Sequence, residues 1–297
     1  MEIRFARDAP FQELYAKFMR QYANLQHMTP VLPEADADQG QRCYLPHHRV
    51  MREASTMTKL RVVFNSSSKL PTGETLNQHL RVGPNLLPAL ADILLRWRRH
   101  RYVIAADIEK MYRQISIHSL DRDLQRILWR DHPDAIMEFR LNTVTYNLSY
   151  APFVVIRTLR QLADDEGSRW PLGTDALCQD VYMDDILTGA PTIAEAKEMQ
   201  RQLTLICRAG GFPLQKWSTN ASSLLADLPA EGLLQREPRW WQPGESHSTL
   251  GLRWHPHEDS FAFSTPPLQL LTITKRAVLS LTARLFDPMG WLAPTTV

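Results

Sequence analysis

A few acidic and basic side chains could do chemistry before any fold is considered. Val181-Tyr182-Met183-Asp184-Asp185-Ile186-Leu187 sets two adjacent carboxylates between short apolar runs. Runs of this kind read as strands, and the acidic pair reads as the turn joining them. Two carboxylates on one tight turn repel each other, which disfavours their charged forms. A divalent cation removes that cost, and a hard ion such as Mg²⁺ prefers carboxylate oxygens. Asp107 is a third carboxylate, at the end of the buried-type strand Tyr102-Val103-Ile104-Ala105-Ala106. Carboxylates arriving from separate strands can hold two divalent ions roughly 3.5–4 Å apart, a clamp for the attacking and leaving oxygens of a phosphoryl transfer. Lys59 and Arg61 alternate along Lys59-Leu60-Arg61-Val62-Val63-Phe64, so one strand face carries two cations suited to phosphate oxygens. Lys216, in the short strand Phe212 to Trp217, offers a late proton donor for a departing pyrophosphate. Taken singly, each has an ordinary explanation: a solvated hairpin tip, a cap, a solvent-facing strand. Together they fit nucleotidyl transfer.

The elements that must position these groups are readable in outline. Phe11, Leu14, Tyr15, Phe18, Tyr22 and Leu25 share one helical face, with Asp8 placed to cap it. That stripe suits core packing; a partner-binding face is the other reading. Pro30 to Gly40 is a linker. His47 and His48 sit in a strand-like stretch, with no further ligand nearby to make them a metal pair. A helix over Leu86 to Leu95 runs into Arg96-Trp97-Arg98-Arg99-His100-Arg101. Cations in a last turn suit the helix dipole. An aromatic among arginines also suits a nucleic-acid backbone, and both readings stay open. Ser119 to Gln125 reads as helical and Phe139 to Tyr146 as a strand. Pro152 falls in the first turn of a helix running through Leu162. Thr192 and Glu195 form a capping box for a helix reaching Gly210. Leu250 to Trp254 is half of a second hairpin, and a last helix covers Lys275 to Phe286.

Composition narrows the class. The chain has 297 residues, 44% hydrophobic and 22% charged, as an ordinary globular protein would. Net charge is only +2, so nucleic-acid binding would depend on local basic patches. The three cysteines, Cys43, Cys178 and Cys207, lack any C-x-x-C spacing, which points to a reducing compartment. No run has the length and apolarity of a membrane span, and the first residues lack the apolar stretch of a signal peptide.

In order along the chain, Tyr44-Leu45-Pro46-His47-His48, Lys59 to Phe64, Asp107-Ile108-Glu109-Lys110-Met111-Tyr112-Arg113-Gln114-Ile115, Asp121 to Arg130, Leu141 to Tyr146, Ala151-Pro152-Phe153, Tyr182 to Asp185 and Leu285-Phe286-Asp287-Pro288 make a set. The set resembles the reverse-transcriptase region of a BEL/Pao-type long-terminal-repeat retrotransposon polyprotein, over nearly the whole chain. The resemblance implies an α+β right-hand polymerase of fingers and palm, with an antiparallel palm sheet backed by helices and an incomplete thumb. It implies an N-terminal helix and linker over residues 1–43, fingers and palm over 44–265, and the start of a thumb or connection over 266–297. The activity implied is RNA-directed DNA synthesis, in which a primer 3′-hydroxyl attacks a deoxynucleoside triphosphate on an RNA or DNA template. Two Mg²⁺ ions, or Mn²⁺ in their place, would be bound by Asp107 and Asp184, with Asp185 in support. Lys59 and Arg61 would lie over the triphosphate. Tyr112 would screen the sugar, Tyr146 would touch the nucleotide, and Lys216 would be the late-motif lysine. Gly251, Arg253 and Trp254 would belong to the hairpin gripping the primer. Protease, RNase H and integrase modules are absent from this stretch, so it is expected to be a piece of a longer polyprotein. Such particles are cytoplasmic, with the nucleus as the other location.

Two positions depart from the family pattern. Asn65 stands where an Asp is usual, and Asn147 where a Gly is usual. Asn tolerates left-handed dihedrals better than most residues, so the fold is expected to survive at Asn147. A decayed or co-opted copy that binds nucleic acid without synthesis is the alternative. A two-metal nuclease is the third class, and it would have no need of Tyr112 or Lys216.

Overall fold

The computed structural model describes residues 2–32, 40–51, 60–130, 135–226, 239–241, 244, 247–250, 252–255, 258, 260–262, 274–282, 287 and 289–291. In chain order the elements are α1 (Glu2–Phe5), α2 (Ala9–Asn24), β1 (Met28–Pro30), β2 (His47–Met51), β3 (Leu60–Phe64), α3 (Leu76–His79), α4 (Leu90–Arg98) and β4 (Tyr102–Ile108). Then follow β5 (Arg126–Trp129), β6 (Met137–Leu141), α5 (Ala151–Glu166), α6 (Pro171–Gln179), β7 (Val181–Tyr182), β8 (Asp185–Ala190), α7 (Ile193–Ala209) and β9 (Leu214–Thr219). The last are β10 (Arg239–Trp240), β11 (His247–Thr249), β12 (Leu252–His255), β13 (Ser260–Ala262) and α8 (Lys275–Thr282). The protein is thus of mixed helix and strand, with several small, largely antiparallel sheets. Among the described residues no helix is long and apolar enough to cross a membrane. The chain divides into two compact units.

The first unit comprises Met1–Asn85 and Lys110–Val155. It holds a three-stranded sheet ordered β1-β6-β5 and the two-stranded pair β2-β3. Asp8 caps α2 as its sequence suggests, its Oδ1 accepting from Phe11 N–H at 3.0 Å. Phe11, Tyr15 and Tyr22 are buried along that helix, whereas Leu14 and Leu25 at the edges of the stripe are exposed. On β3, Leu60, Val62 and Phe64 turn inward and Arg61 outward. His47 is committed to packing. Its Nε2 meets the Leu128 carbonyl at 2.9 Å and its Nδ1 meets the Tyr15 hydroxyl at 2.5 Å. A carbonyl only accepts, so Nε2 carries the proton and Nδ1 accepts from tyrosine. Neither nitrogen is then available to a metal. The strand expected over Phe139 to Tyr146 ends at Leu141. Asn142 draws the chain away: its N–H donates to His27 O and its side-chain amide to Gln26 O. Ser119–Gln125 is a 3₁₀ helix rather than an α-helix.

The second unit comprises Leu86–Glu109 and Ile156–Val297. Its five-stranded sheet is ordered β10-β9-β4-β8-β7, antiparallel except for β10 against β9. A second, three-stranded sheet is ordered β11-β12-β13. Thr192 caps α7, accepting from Glu195 N–H at 3.2 Å and donating its hydroxyl to the Glu195 carboxylate at 2.9 Å. The helix expected over Leu86 to Leu95 starts later, at Leu90, and runs to Arg98.

This unit's core is built on three indoles. Trp97, Trp241 and Trp254 are all buried, with ring centroids 4.2 Å apart for Trp97–Trp254, 5.6 Å for Trp241–Trp254 and 6.1 Å for Trp97–Trp241. Trp97 therefore has no free face for a nucleic acid. The arginine run takes the helix-end reading at Arg96, whose Nε pairs with Asp180 at 3.2 Å. Trp254→Ala should lower unfolding stability by about 3–5 kcal/mol, the usual cost of emptying an aromatic core site. Denaturant titration measures it. An unchanged midpoint would mean that the indole cluster does not hold the unit together.

Candidate active site

Three strands of the second unit bring the acidic residues together. β4 carries Asp107 as its next-to-last residue because the apolar run before it is buried. In the antiparallel pairing of β4 with β8, Asp107 stands directly opposite Asp185. Directly opposed residues project from the same face of a sheet, with Cβ atoms about 4.5–5.5 Å apart in general. Tyr182 pairs with Asp185, so the hairpin loop is Met183 and Asp184 alone. The acidic pair is therefore split, with Asp184 on the turn and Asp185 opening the strand. Met183 takes φ 57°, the left-handed backbone that two-residue hairpins usually give to glycine. Such a conformation in a bulky residue costs on the order of 1–3 kcal/mol and is typically found at functional sites. The Asp184 carbonyl accepts from Ile108 N–H at 2.8 Å, which ties the turn to the end of β4. The Asp184 side of the turn is exposed, Asp185 is half-buried and Asp107 is buried.

β9 completes the cluster through an irregularity. Asp107 faces Gln215 and Ala105 faces Ser218, so Lys216 and Trp217 together oppose Ala106. That extra residue is a bulge, and Lys216 takes φ 56° within it. In an unbroken strand Gln215 and Lys216 would point to opposite faces. The bulge turns both onto one carboxylate. Gln215 Nε2 donates to Asp107 Oδ1 at 2.8 Å, and the Lys216 ammonium pairs with Asp107 Oδ2. Gln215 is the member of this cluster that sequence reasoning missed, because only the strand register shows that it stands opposite Asp107.

The charge balance explains what the cluster can hold. Burial first, then the negative charges of Asp184 and Asp107, push the Asp185 carboxyl up to about 7, while Lys216 pulls it down. Near neutral pH the set therefore resists full ionisation, and a cation would relieve it. Among the described residues no group of three or more His, Cys, Asp or Glu forms a ready-made metal cage. Mg²⁺ does not demand one: it is usually held by one or two carboxylates together with substrate phosphates and water. The donor set of hard oxygens from Asp107, Asp185 and Asp184 fits such an ion.

The remaining expected residues fall as follows. In the first unit, Arg61 lies over the Tyr146 ring at 4.9 Å. Burial pushes the Tyr146 hydroxyl up, and the positive charges of Arg113 and Arg61 oppose that shift. Arg113 also stands over Tyr22 at 4.8 Å. Tyr112 lies in the 3₁₀ segment Met111–Gln114 and packs against the core of that unit. Asn147 has φ 74°, so the backbone keeps the left-handed form that a glycine would adopt freely. Its carbonyl accepts from Ser66 Oγ at 2.7 Å and Asn77 Nδ2 at 3.0 Å. In the second unit Arg253 is exposed on β12, but Trp254 is buried in the indole cluster, so its ring is not placed to grip a ligand. Lys59 and Gly251 lie outside the described residues. No family model matches the chain, and no curated protein matches it.

Proposed function

We propose that this chain is the fingers-and-palm region of an RNA-directed DNA polymerase of the BEL/Pao retrotransposon type. The observation that carries the reading is the cross-strand pair Asp107–Asp185, with Asp184 on the adjoining turn and Lys216 on the Asp107 carboxylate. The sheet of the second unit corresponds to a palm in this reading. Asp107 and Asp184, supported by Asp185, would hold two Mg²⁺ ions. Bound there, the ions would supply Lewis-acid stabilisation of the charge developing on the attacking and leaving oxygens. Gln215 fixes the orientation of Asp107. Lys216 holds a proton within reach of the carboxylate cluster and donates it to the departing pyrophosphate. The resemblance assigns Arg61 to triphosphate oxygens and Tyr146 and Tyr112 to the nucleotide.

The direct test is primer extension by the purified chain, with an RNA template annealed to a DNA primer, the four deoxynucleoside triphosphates and Mg²⁺. Template-directed lengthening is expected. Binding without lengthening would replace this reading with a nucleic-acid-binding remnant. Strand cleavage that needs no nucleotide would replace it with a nuclease.

Asn65 and Asn147 bear on the rate. Asn65 Oδ1 accepts from Ser67 N–H at 3.1 Å, a bond that aspartate would keep while adding a charge. At Asn147 the backbone is already left-handed, so Asn147→Gly removes a side chain without moving the chain. Misplacement near a reacting nucleotide can cost on the order of 10²-fold. The double variant Asn65→Asp, Asn147→Gly should raise the single-turnover rate at saturating nucleotide by up to that factor, with primer–template affinity nearly unchanged. Equal rates in the variant and the parent would show both asparagines to be neutral.

A further inference from the structure

Both carboxylate oxygens of Asp107 are engaged within the protein. Oδ1 accepts from Gln215 Nε2 at 2.8 Å, and Oδ2 takes the Lys216 ammonium. The two donors differ in what they allow. The Gln215 amide is neutral, and an oxygen that accepts one such bond keeps a lone pair for a metal ion. The ammonium brings a full positive charge into contact, and a dication sharing its oxygen would be repelled. The Asp107 side chain is 12% exposed and that of Lys216 35%, so of the pair the lysine is the member that can leave into water.

The pairing has a backbone built for it. Lys216 reaches Asp107 because the bulge places it there, and its φ of 56° is a form that lysine adopts at a cost. A strained residue kept where glycine or asparagine would sit more easily points to a side chain with a task. The surrounding charges name that task. Burial first, then the charges of Asp184 and Asp107, push the Asp185 carboxyl up to about 7, and Lys216 is the group that opposes the shift. Lys216 thus supplies from within the chain the kind of compensation that a bound cation would bring.

We propose that Lys216 is a placeholder for the divalent ion: its ammonium occupies Asp107 Oδ2 until the ion takes that oxygen, and the lysine is then released from the carboxylate with its proton. The exchange is cation for cation, so no proton is transferred in it. The inference rests on the two-metal reading of the cluster and deepens it. One event both completes the metal site and frees the proton donor.

The test is metal binding by the full chain without nucleic acid or nucleotide. Mn²⁺ is the probe, and its free-ion electron paramagnetic resonance signal is the readout. Asp107→Asn should weaken Mn²⁺ binding, which locates the ion. Lys216→Met should bind Mn²⁺ about tenfold more tightly than the parent, since coupling between groups in contact is of this order. Its melting temperature should also rise more on adding Mg²⁺ than the parent's does. Lys216→Asn should tighten binding equally, and it keeps the test available if methionine is not tolerated at the left-handed position. Lys216→Arg separates exchange from simple repulsion. It keeps the charge but pairs with a carboxylate through two bonds. Exchange therefore predicts severalfold weaker Mn²⁺ binding than in the parent, and repulsion alone predicts no change. Equal Mn²⁺ affinity in the parent and in the methionine and asparagine variants overturns the proposal, as does an arginine variant that matches the parent, even where primer extension proceeds. The expected order of affinities in a chain that adds no nucleotide leaves the exchange standing and removes the polymerase reading. Absence of Mn²⁺ binding from the parent and every variant removes the metal site, and the exchange with it.

Discussion

Asp107→Asn should stop nucleotide addition while leaving the primer–template complex able to form. The substitution keeps the size of the side chain, and its Oδ1 can still accept from Gln215. It removes the negative charge that a divalent ion requires. Charge stabilisation by such ions is worth several kcal/mol in the transition state, so the single-turnover rate should fall about 10³-fold. Asp184→Asn should do the same, and Asp185→Asn should cost less if Asp185 only supports the other two. Binding should be spared because phosphate contacts elsewhere dominate it; filter binding across a salt series would then show parent and variants with the same slope. The neutral amide in Asp107→Asn also leaves the Lys216 ammonium without its counter-ion, so a small loss of melting temperature is expected, limited because Lys216 is about a third exposed. That loss separates from catalysis by measuring rates well below the transition. Near-normal extension by Asp107→Asn sinks the assignment of this carboxylate.

The acidic cluster was largely legible in the sequence because its members sit at the ends of short apolar runs. Tyr102–Ala106 is apolar enough to read as a buried strand, which fixes Asp107 at a strand end. Val181–Leu187 reads as a hairpin for the same reason, although only pairing shows that Asp185 belongs to the strand and Asp184 to the turn. Local caps were equally readable: Asp8 and Thr192 each make the bond that their spacing suggests. What was hidden is tertiary. Residues 97, 241 and 254 are far apart in sequence, and nothing local tells that their indoles meet, so Trp97 among its arginines and Trp254 beside Arg253 both looked like candidates for nucleic-acid contact. The bulge at Lys216 was hidden because a lysine, not a glycine, takes the left-handed backbone. Gln215 faces Asp107 through direct pairing, and without that bulge alternation would send Lys216 to the other face. The strand overrun past Leu141 has the same kind of cause: long-range bonds of Asn142 to Gln26 and His27 override a locally plausible strand.

Lys216 carries the second large effect. Lys216→Met should lower the single-turnover rate about 10²-fold or more, the usual loss on removing a placed general acid. Primer–template affinity should be unaltered. Loss of rate alone does not distinguish an acid from a residue that merely orients Asp107, because the ammonium pairs with that carboxylate. Lys216→Arg does. Guanidinium keeps a positive charge and several donors for Asp107, but it holds its proton far more tightly than an ammonium and is a poor proton donor near neutrality. If proton donation is the role, arginine is nearly as slow as methionine. If the role is positional, arginine restores most of the rate and the pH profile stays as in the parent. The left-handed backbone at 216 adds a control, since asparagine adopts that form more readily than methionine. Lys216→Asn should therefore fold at least as well as Lys216→Met and be equally slow. A parent-like rate in Lys216→Met would remove this lysine from the mechanism and leave the ion pair with Asp107 as packing alone.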